Sequence, residues 1–434
     1  MIIPEWAINA RVLAVRYQEI DKLEKIANYY QSNVVILYLV PETSNGWCPE
    51  GTYEQISNFI SKVHKYGIKI LTYFDSVCVE EKFYYGEHKD WVQRNPEGQR
   101  QHYQPSHISQ HRYCNCINSP WRNYLLEIVK KEAKIGSDGI LFDNPGYYEF
   151  CGPSCFCKYC QEKFEKEKGK SIFNVSRDEQ KLWAHGQIGL FLKEAYEIFQ
   201  KISSDKEIVI TSNYSGPTYQ NMKLLSAGEN VLFHETSGQR GKELLKILKE
   251  DREIGGKKPI WTIRTIGVKG KEGYSSDNVS EYEILIAEAV ACGANPVLWC
   301  APTSMSPENH GFVLPPFYEI PEFSQMVSSY YSFIKNYEKL FFNRDVKSFF
   351  EIKTEPQVLN IGYKTNNTFI IHLINYKKEE IKNLKIFINE KNIKNIKLSS
   401  PENSNGTILP ISEEKMGKFV QISDLKKWAI LIGH

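Results

Sequence analysis

At 434 residues the chain exceeds what one compact core usually organises, so two domains, or one large barrel with an appendage, are expected. A formal net charge of +2, with lysines scattered among glutamates, gives no electrostatic basis for binding nucleic acid or an anionic membrane surface, and no apolar run reaches the roughly eighteen residues of a membrane span. Aromatic residues make up 13% of the chain, with 26 Tyr and 8 Trp, a stock that suits ring stacking on sugars as well as a ring-rich core. The opening MIIPEWAINARV lacks a basic segment followed by an apolar one, which predicts a soluble, cytoplasmic protein. Six of the ten cysteines fall between Cys114 and Cys160. In a long chain without a leader, such clustering favours a metal site over a disulfide framework.

From the start, short β-branched runs alternate with amphipathic stretches. RVLAVRY predicts a first strand at residues 11–17, followed by a helix in which Ile20, Leu23, Ile26 and Ala27 recur at helical spacing. NVVILYLV (33–40) is the second strand, and beyond a loop with Trp47 and Cys48 a helix over 53–66 closes at Gly67. IKILTYFDS (68–76) is the third strand and ends at Asp75. Residues 77–118, rich in Tyr, His and Gln, read as a long loop, and so long a loop inside a compact domain is usually functional. Ser119-Pro120 opens a helix that Gly136 ends, and DGILFDN then reads as a parallel strand buried on both faces, with Asp143 at its exit. Further strands are predicted in EIVITSNY (207–214), ENVLFHET (229–236), PIWTIRTI (259–266) and NPVLWCAP (295–302). Eight strands, each followed by helical sequence, predict a (β/α)8 TIM barrel over residues 1–341 with a cysteine-rich insertion at 114–160. A doubly wound sheet is disfavoured, because no glycine fingerprint follows the first strand. Past Phe342, VLNIGYKTNNTFIIHLINY, NLKIFIN and WAILIGH alternate with Asn, Lys and Gly turns, which predicts a small C-terminal antiparallel β-sandwich domain (342–434) packed on the barrel's last helices.

Barrels of parallel strands bind ligands at the C-terminal ends of those strands. The acids expected there are Glu42, Asp75, Asp143 and Glu235, while the seventh strand offers Arg264. Two carboxylates flanking one bond are what glycoside hydrolysis requires. Strands four and six lie roughly 10 Å apart along the wall, and inward side chains can close that gap toward ~5.5 Å. Leu141 and Asp143 share one face of strand four, and Val231, Phe233 and Glu235 share one face of strand six. The reading makes Asp143 a nucleophile and Glu235 a general acid/base. Asp75, Asn144, Asn213, Tyr214 and Arg264 are candidates for holding substrate hydroxyls. Trp47, Trp91, Trp261 and Trp299 are candidates for sugar platforms, with Trp261 equally suited to the core. His234 faces away from Glu235 and reads as structural.

Cys155-x-Cys157-x-x-Cys160 brings three thiolates close enough to share a tetrahedral zinc, with Cys116 or Cys151 as a fourth ligand. HRYCNCINSPWR and DNPGYYEFCGPSCFCKYCQEKF together resemble the zinc-bearing region of family 42 β-galactosidases, in which a cysteine just before a Ser-Pro helix start joins a CxCxxC cluster after the fourth strand. The resemblance implies Cys116 as the fourth ligand of a closed structural zinc site, and no organic cofactor is expected. That family's catalytic residues do not carry over. It places an Asn-Glu pair after strand four and a glutamate on strand seven, where this chain has Asn144-Pro145 and Arg264. DGILFDN is instead similar to the nucleophile strand of α-galactosidases and α-fucosidases, and the whole resembles hypothetical glycosyl hydrolases that combine such an Asp with a CxCxxC segment. The expected function is a retaining exo-glycosidase acting on a glycoside or oligosaccharide, as a monomer or a homo-oligomer. The alternatives are a β-galactosidase-like enzyme with displaced catalytic residues and a carbohydrate-binding barrel without turnover.

Overall fold

Eight parallel strands close on themselves in chain order: β1 (Val12–Arg16), β2 (Val34–Tyr38), β3 (Lys69–Asp75), β4 (Gly139–Asp143), β5 (Val209–Asn213), β6 (Leu232–Glu235), β7 (Ile260–Ile263) and β8 (Asn295–Trp299), which pairs back to β1. They are the eight strands expected from the sequence. The computed structural model describes residues 1–16, 22, 28–38, 52–80, 88–100, 102–103, 112–147, 154–213, 219–236, 240–263, 276–299, 320–342, 348–350, 352, 354, 356–365, 368–388, 393–415 and 417–434. Among these, no helix is long and apolar enough to cross a membrane.

All five residues of β4 are buried, because the strand is covered on both sides. Ile140 and Phe142 turn outward onto the helices Trp121–Lys134 and Arg177–Ile202, while Leu141 joins Val12, Val34, Leu71, Val209 and Phe233 inside the barrel. Each large apolar side chain withdrawn from water contributes roughly 2 kcal/mol, so a one-residue slip that exchanged Phe142 and Asp143 between faces is strongly disfavoured. Gly139 serves close approach, since a Cβ there would lie 2.0 Å from the Val209 carbonyl oxygen. The helix Trp121–Lys134 is capped as the Ser-Pro signal suggested: Trp121 N–H donates to Ser119 Oγ at 3.2 Å, and Gly136 ends the helical turn at φ +90°.

One open reading is decided by the structure, and one expectation needs correction. Trp261 is fully buried in the barrel interior and donates its indole N–H to the Ala7 carbonyl at 3.0 Å, so it helps plug the barrel floor and is no sugar platform. Residues 77–118 are not a plain loop. Cys78–Glu80, Arg112–Cys114 and His102–Tyr103 form a three-stranded antiparallel sheet, extended by a Val92–Asn115 bridge.

Beyond the helix Pro321–Phe341 the chain builds an antiparallel sandwich. One sheet has six strands, ordered Ser348–Phe350, Val358–Thr365, Thr368–Asn375, Trp428–Gly433, Ile396–Ser400 and Asn403–Leu409. The other has three, ordered Ile381–Phe387, Gly417–Leu425 and Ser412–Glu414. Phe369, Ile371, Leu373 and Leu431 face the smaller sheet, and Ile370, Ile374, Ile430 and Ile432 face the barrel's last helices. Burial on both faces explains why FIIHLIN and WAILIG are almost continuously apolar.

Candidate active site and cysteine centre

At the C-terminal rim, β4, β5 and β6 bring Asp143, Asn213 and Glu235 to one end of the barrel, where β3 also ends, at Asp75. Asp143 is nearly buried. Its carboxylate accepts from Asn213 Nδ2 at 2.8 Å, from Asn144 Nδ2 at 2.8 Å and from the Tyr73 hydroxyl. Three neutral donors on one carboxylate favour its ionised form and fix its orientation. Its backbone is also held: the Asp143 carbonyl accepts from Ser76 N–H at 2.9 Å and from the Ser76 hydroxyl, and the Ser76 carbonyl in turn accepts from Trp121 Nε1 at 2.7 Å. Asn144 has a left-handed φ of +50°, a conformation asparagine tolerates better than most side chains, and this bend returns its amide to the preceding carboxylate.

Glu235 is half-buried, and Asn213 Nδ2 lies 3.3 Å from its Oε2. One amide nitrogen therefore serves both acids. The two accepting oxygens can be no farther apart than the sum of those two bonds, about 6.1 Å. If each amide hydrogen addresses one acid across an angle near 120°, the separation is about 5.3 Å. The structure thus brings Asp143 and Glu235, paired by the alternation of their strands, together with Asn213 and Asn144, two of the residues named as candidates for holding substrate hydroxyls. Tyr73 was missed because on β3 only the terminal Asp75 was considered, although Tyr73 precedes it by two residues on the same strand and packs beside Leu71.

Asp75 stands opposite Asp143 in the β3–β4 register; its side chain, like that of Trp299, is outside the described part of the molecule. Glu42, Trp47, Cys151, Tyr214 and Arg264 lie outside the described residues. Trp91 lies between the strands of the small antiparallel sheet and stacks on His88 at 3.7 Å. His234 turns outward, as expected, with Nδ1 at 2.7 Å from Asp251 Oδ2.

Beside the rim lies the cysteine centre. The Sγ atoms of Cys116, Cys155, Cys157 and Cys160 are all within 4.8 Å of one another, and all four residues are buried. A tetrahedron with metal–sulfur bonds of about 2.3 Å has an edge near 3.8 Å, so the cluster is compact enough for one ion. Burial pushes the Cys116 and Cys160 thiols well above their ordinary range, whereas hydrogen bonds from Cys116, Cys155 and Cys160 hold Cys157 well below it. Such a group resists carrying several negative charges by itself and would accept them around a cation, because thiolate is the ligating form. Backbone donors already point at the sulfurs: Arg94 N–H and Cys157 N–H lie 3.4 Å from Cys155 Sγ, and Asn118 N–H lies 3.4 Å from Cys116 Sγ. Four soft, closed donors with this support fit a structural metal.

A family model described as Hypothetical glycosyl hydrolase 6 matches residues 29–144, a stretch that contains β2, β3 and β4 and ends one residue past Asp143. None of the curated proteins matches the chain. Among solved structures, the chain is similar to a cycloisomaltooligosaccharide glucanotransferase of Paenibacillus sp. complexed with cycloisomaltoheptaose, at 13% identity and TM-score 0.75, over 99% of this chain and 85% of that one. It is also similar to alpha-L-fucosidase isoenzyme 2 from Paenibacillus thiaminolyticus, at 10% identity and TM-score 0.70 over 98% and 99% of the two chains. A third is an alpha-amylase from Geobacillus thermoleovorans complexed with acarbose, at 9% identity and TM-score 0.62 over 99% of both chains. At these identities the likeness establishes the shared fold of barrel and β domain.

Proposed function

We propose that the protein is a retaining exo-glycosidase acting on an α-linked glycoside, with Asp143 as nucleophile and Glu235 as general acid/base. The observation that carries this reading is the single Asn213 amide set between the two acids, which keeps Asp143 Oδ1 and Glu235 Oε2 within about 6.1 Å of each other. Retaining enzymes hold their carboxyl groups about 5–5.5 Å apart, and inverting enzymes need about 6.5–9.5 Å to admit a water. The partial family match supports a glycoside as substrate, and the alpha-specific activities named for two of the similar structures support the α-anomer.

In the first step an Asp143 oxygen attacks the anomeric carbon while Glu235 protonates the departing glycosidic oxygen. The leaving group exits with that proton, and the sugar is left as an ester on Asp143. In the second step Glu235 takes a proton from water, water attacks the same carbon, and Asp143 leaves as carboxylate. Donation from Tyr73, Asn144 and Asn213 stabilises the Asp143 anion before attack and after release. The cysteine centre is proposed to hold one zinc through Cys116, Cys155, Cys157 and Cys160, a closed set that stabilises the fold and leaves no position open to substrate.

The roles separate with Glu235→Ala. Glycosides with poor leaving groups should lose about 10³-fold or more in kcat/KM, activated aryl glycosides far less, and azide should restore part of the rate. Equal rates for wild type and variant on both substrate types would overturn the assignment.

A further inference from the structure

We infer that the cysteine centre positions Asp143, acting through the loop 144–147, the buried side chain of Gln93 and the half-buried side chain of Asn118. The inference rests on the glycosidase reading and deepens it. The loop is tied to the reactive carboxylate at one end, where Asn144 Nδ2 lies 2.8 Å from Asp143 Oδ2. Its other end is tied toward the sulfurs. Asn118 Nδ2 lies 3.2 Å from Tyr147 Oη and 3.3 Å from Cys160 Sγ, and Asn118 N–H lies 3.4 Å from Cys116 Sγ. Between these ends, the Gly146 carbonyl accepts from Gln93 Nε2 at 3.1 Å.

Gln93 is itself anchored to the centre. It is fully buried, its Nε2 also donates to the Asn115 carbonyl at 3.0 Å, and its neighbour Arg94 donates N–H to Cys155 Sγ at 3.4 Å. Two residues upstream, the Trp91 carbonyl accepts from Cys116 N–H at 2.7 Å. Residues beside Cys116, Cys155 and Cys160 therefore grip one short loop whose first side chain orients the nucleophile. If the centre served only to close the insertion, it would have no need of Gln93 and Asn118 reaching across to the β4 loop. Because a displacement of about 1 Å at a reacting group can cost 10²-fold in rate, a few such hydrogen bonds weigh more in catalysis than in stability.

The test uses full-length, zinc-loaded protein carrying Gln93→Ala or the milder Tyr147→Phe, which keeps the ring and removes the hydroxyl. Both should retain one zinc per chain. Amide hydrogen exchange should quicken in residues 143–147 and stay at the wild-type rate in β6. On a hydrolysed aryl glycoside, kcat should fall about ten- to hundred-fold for Gln93→Ala and less for Tyr147→Phe, with KM little changed. The acid limb of kcat/KM should move to higher pH as Asn144 loses its hold on Asp143. The other described groups around that carboxylate, Tyr73 on β3, Asn213 on β5 and Glu235 on β6, are the same in both variants. Zinc-loaded variants with wild-type exchange in 143–147, kcat and acid limb would overturn the inference, as would loss of zinc from both, which would make these residues supports of the metal alone. If the wild type hydrolyses no glycoside, the glycosidase reading fails while the exchange measurement still decides whether the centre holds the loop.

Discussion

Two aspartates bracket β4, and they are built differently. Asp138, just before the strand, is fully buried beside two basic side chains: Lys69 Nζ at 2.9 Å and His64 Nε2 at 2.6 Å, with Ile70 N–H at 2.9 Å. Burial alone would raise its pKa, but His64, Lys69 and the Ile70 amide outweigh it, and Asp138 ends below the ordinary carboxylate range. Asp143, at the strand's exit, is oriented by a phenol and two amides. The entry end of the strand uses an acid to lock the barrel floor, whereas the exit end holds an acid among neutral donors, where the proposed function has it meet substrate. The same residue type on the same strand is structural or chemical according to which face of the barrel it reaches.

The sharpest way to break this comparison is to delete each acid. Asp143→Ala should remove about 10⁴-fold or more of the turnover while leaving the urea midpoint nearly unchanged. Asp138→Ala should do the reverse. It should cost about 3 kcal/mol, the lower end for breaking a buried pair because Lys69 and His64 are a quarter to a third exposed, with kcat within a few-fold of wild type. If Asp138→Ala abolished turnover at unchanged stability, the division of labour would be lost.

A third buried group sharpens the point in the β domain. His372 is fully buried, accepts from Trp428 Nε1 at 3.2 Å and lies 3.2 Å from the Tyr363 hydroxyl, and burial pushes its pKa down to about 3. The unfolded chain takes up the proton near pH 6.5 and the folded one only near pH 3, so this contribution to stability is complete above pH 6.5 and is lost as pH falls. Unfolding free energies of wild type and His372→Gln, measured from pH 7.5 to pH 5, should converge by about 2 kcal/mol, with the wild type losing more. Parallel curves would show that His372 does not remain neutral.

Tyr73→Phe is the smallest change, removing one donor and no volume. It should lower kcat/KM about tenfold, near 1.4 kcal/mol of transition-state stabilisation, with little effect on unfolding. A tenfold loss of stability without loss of rate would move Tyr73 to the structural side of the comparison.

Much of this was legible in the residues. ILF between Gly139 and Asp143 announces a strand covered on both faces, and period-two alternation was enough to turn Asp143 and Glu235 inward together. Cys116 could be reached through the Ser119-Pro120 helix start and the resemblance it carried. The insertion sheet was not legible, because strands of two or three residues leave no period and pair with partners far along the chain. Gln93 and Asn118 were hidden for a related reason: a side-chain amide declares its role only through what it touches. Trp261 stayed open because an indole on a barrel strand suits floor and rim alike, and depth within the barrel decides between them.

The most direct measurement traps the proposed intermediate. A 2-deoxy-2-fluoro analogue of whichever aryl glycoside the enzyme cleaves slows release of the sugar ester enough for digestion and peptide mass mapping. The account predicts one sugar per chain, attached to Asp143 in the peptide that contains GILFDN. Attachment to Asp75 or Glu235, or inverted product with no covalent adduct, would contradict it.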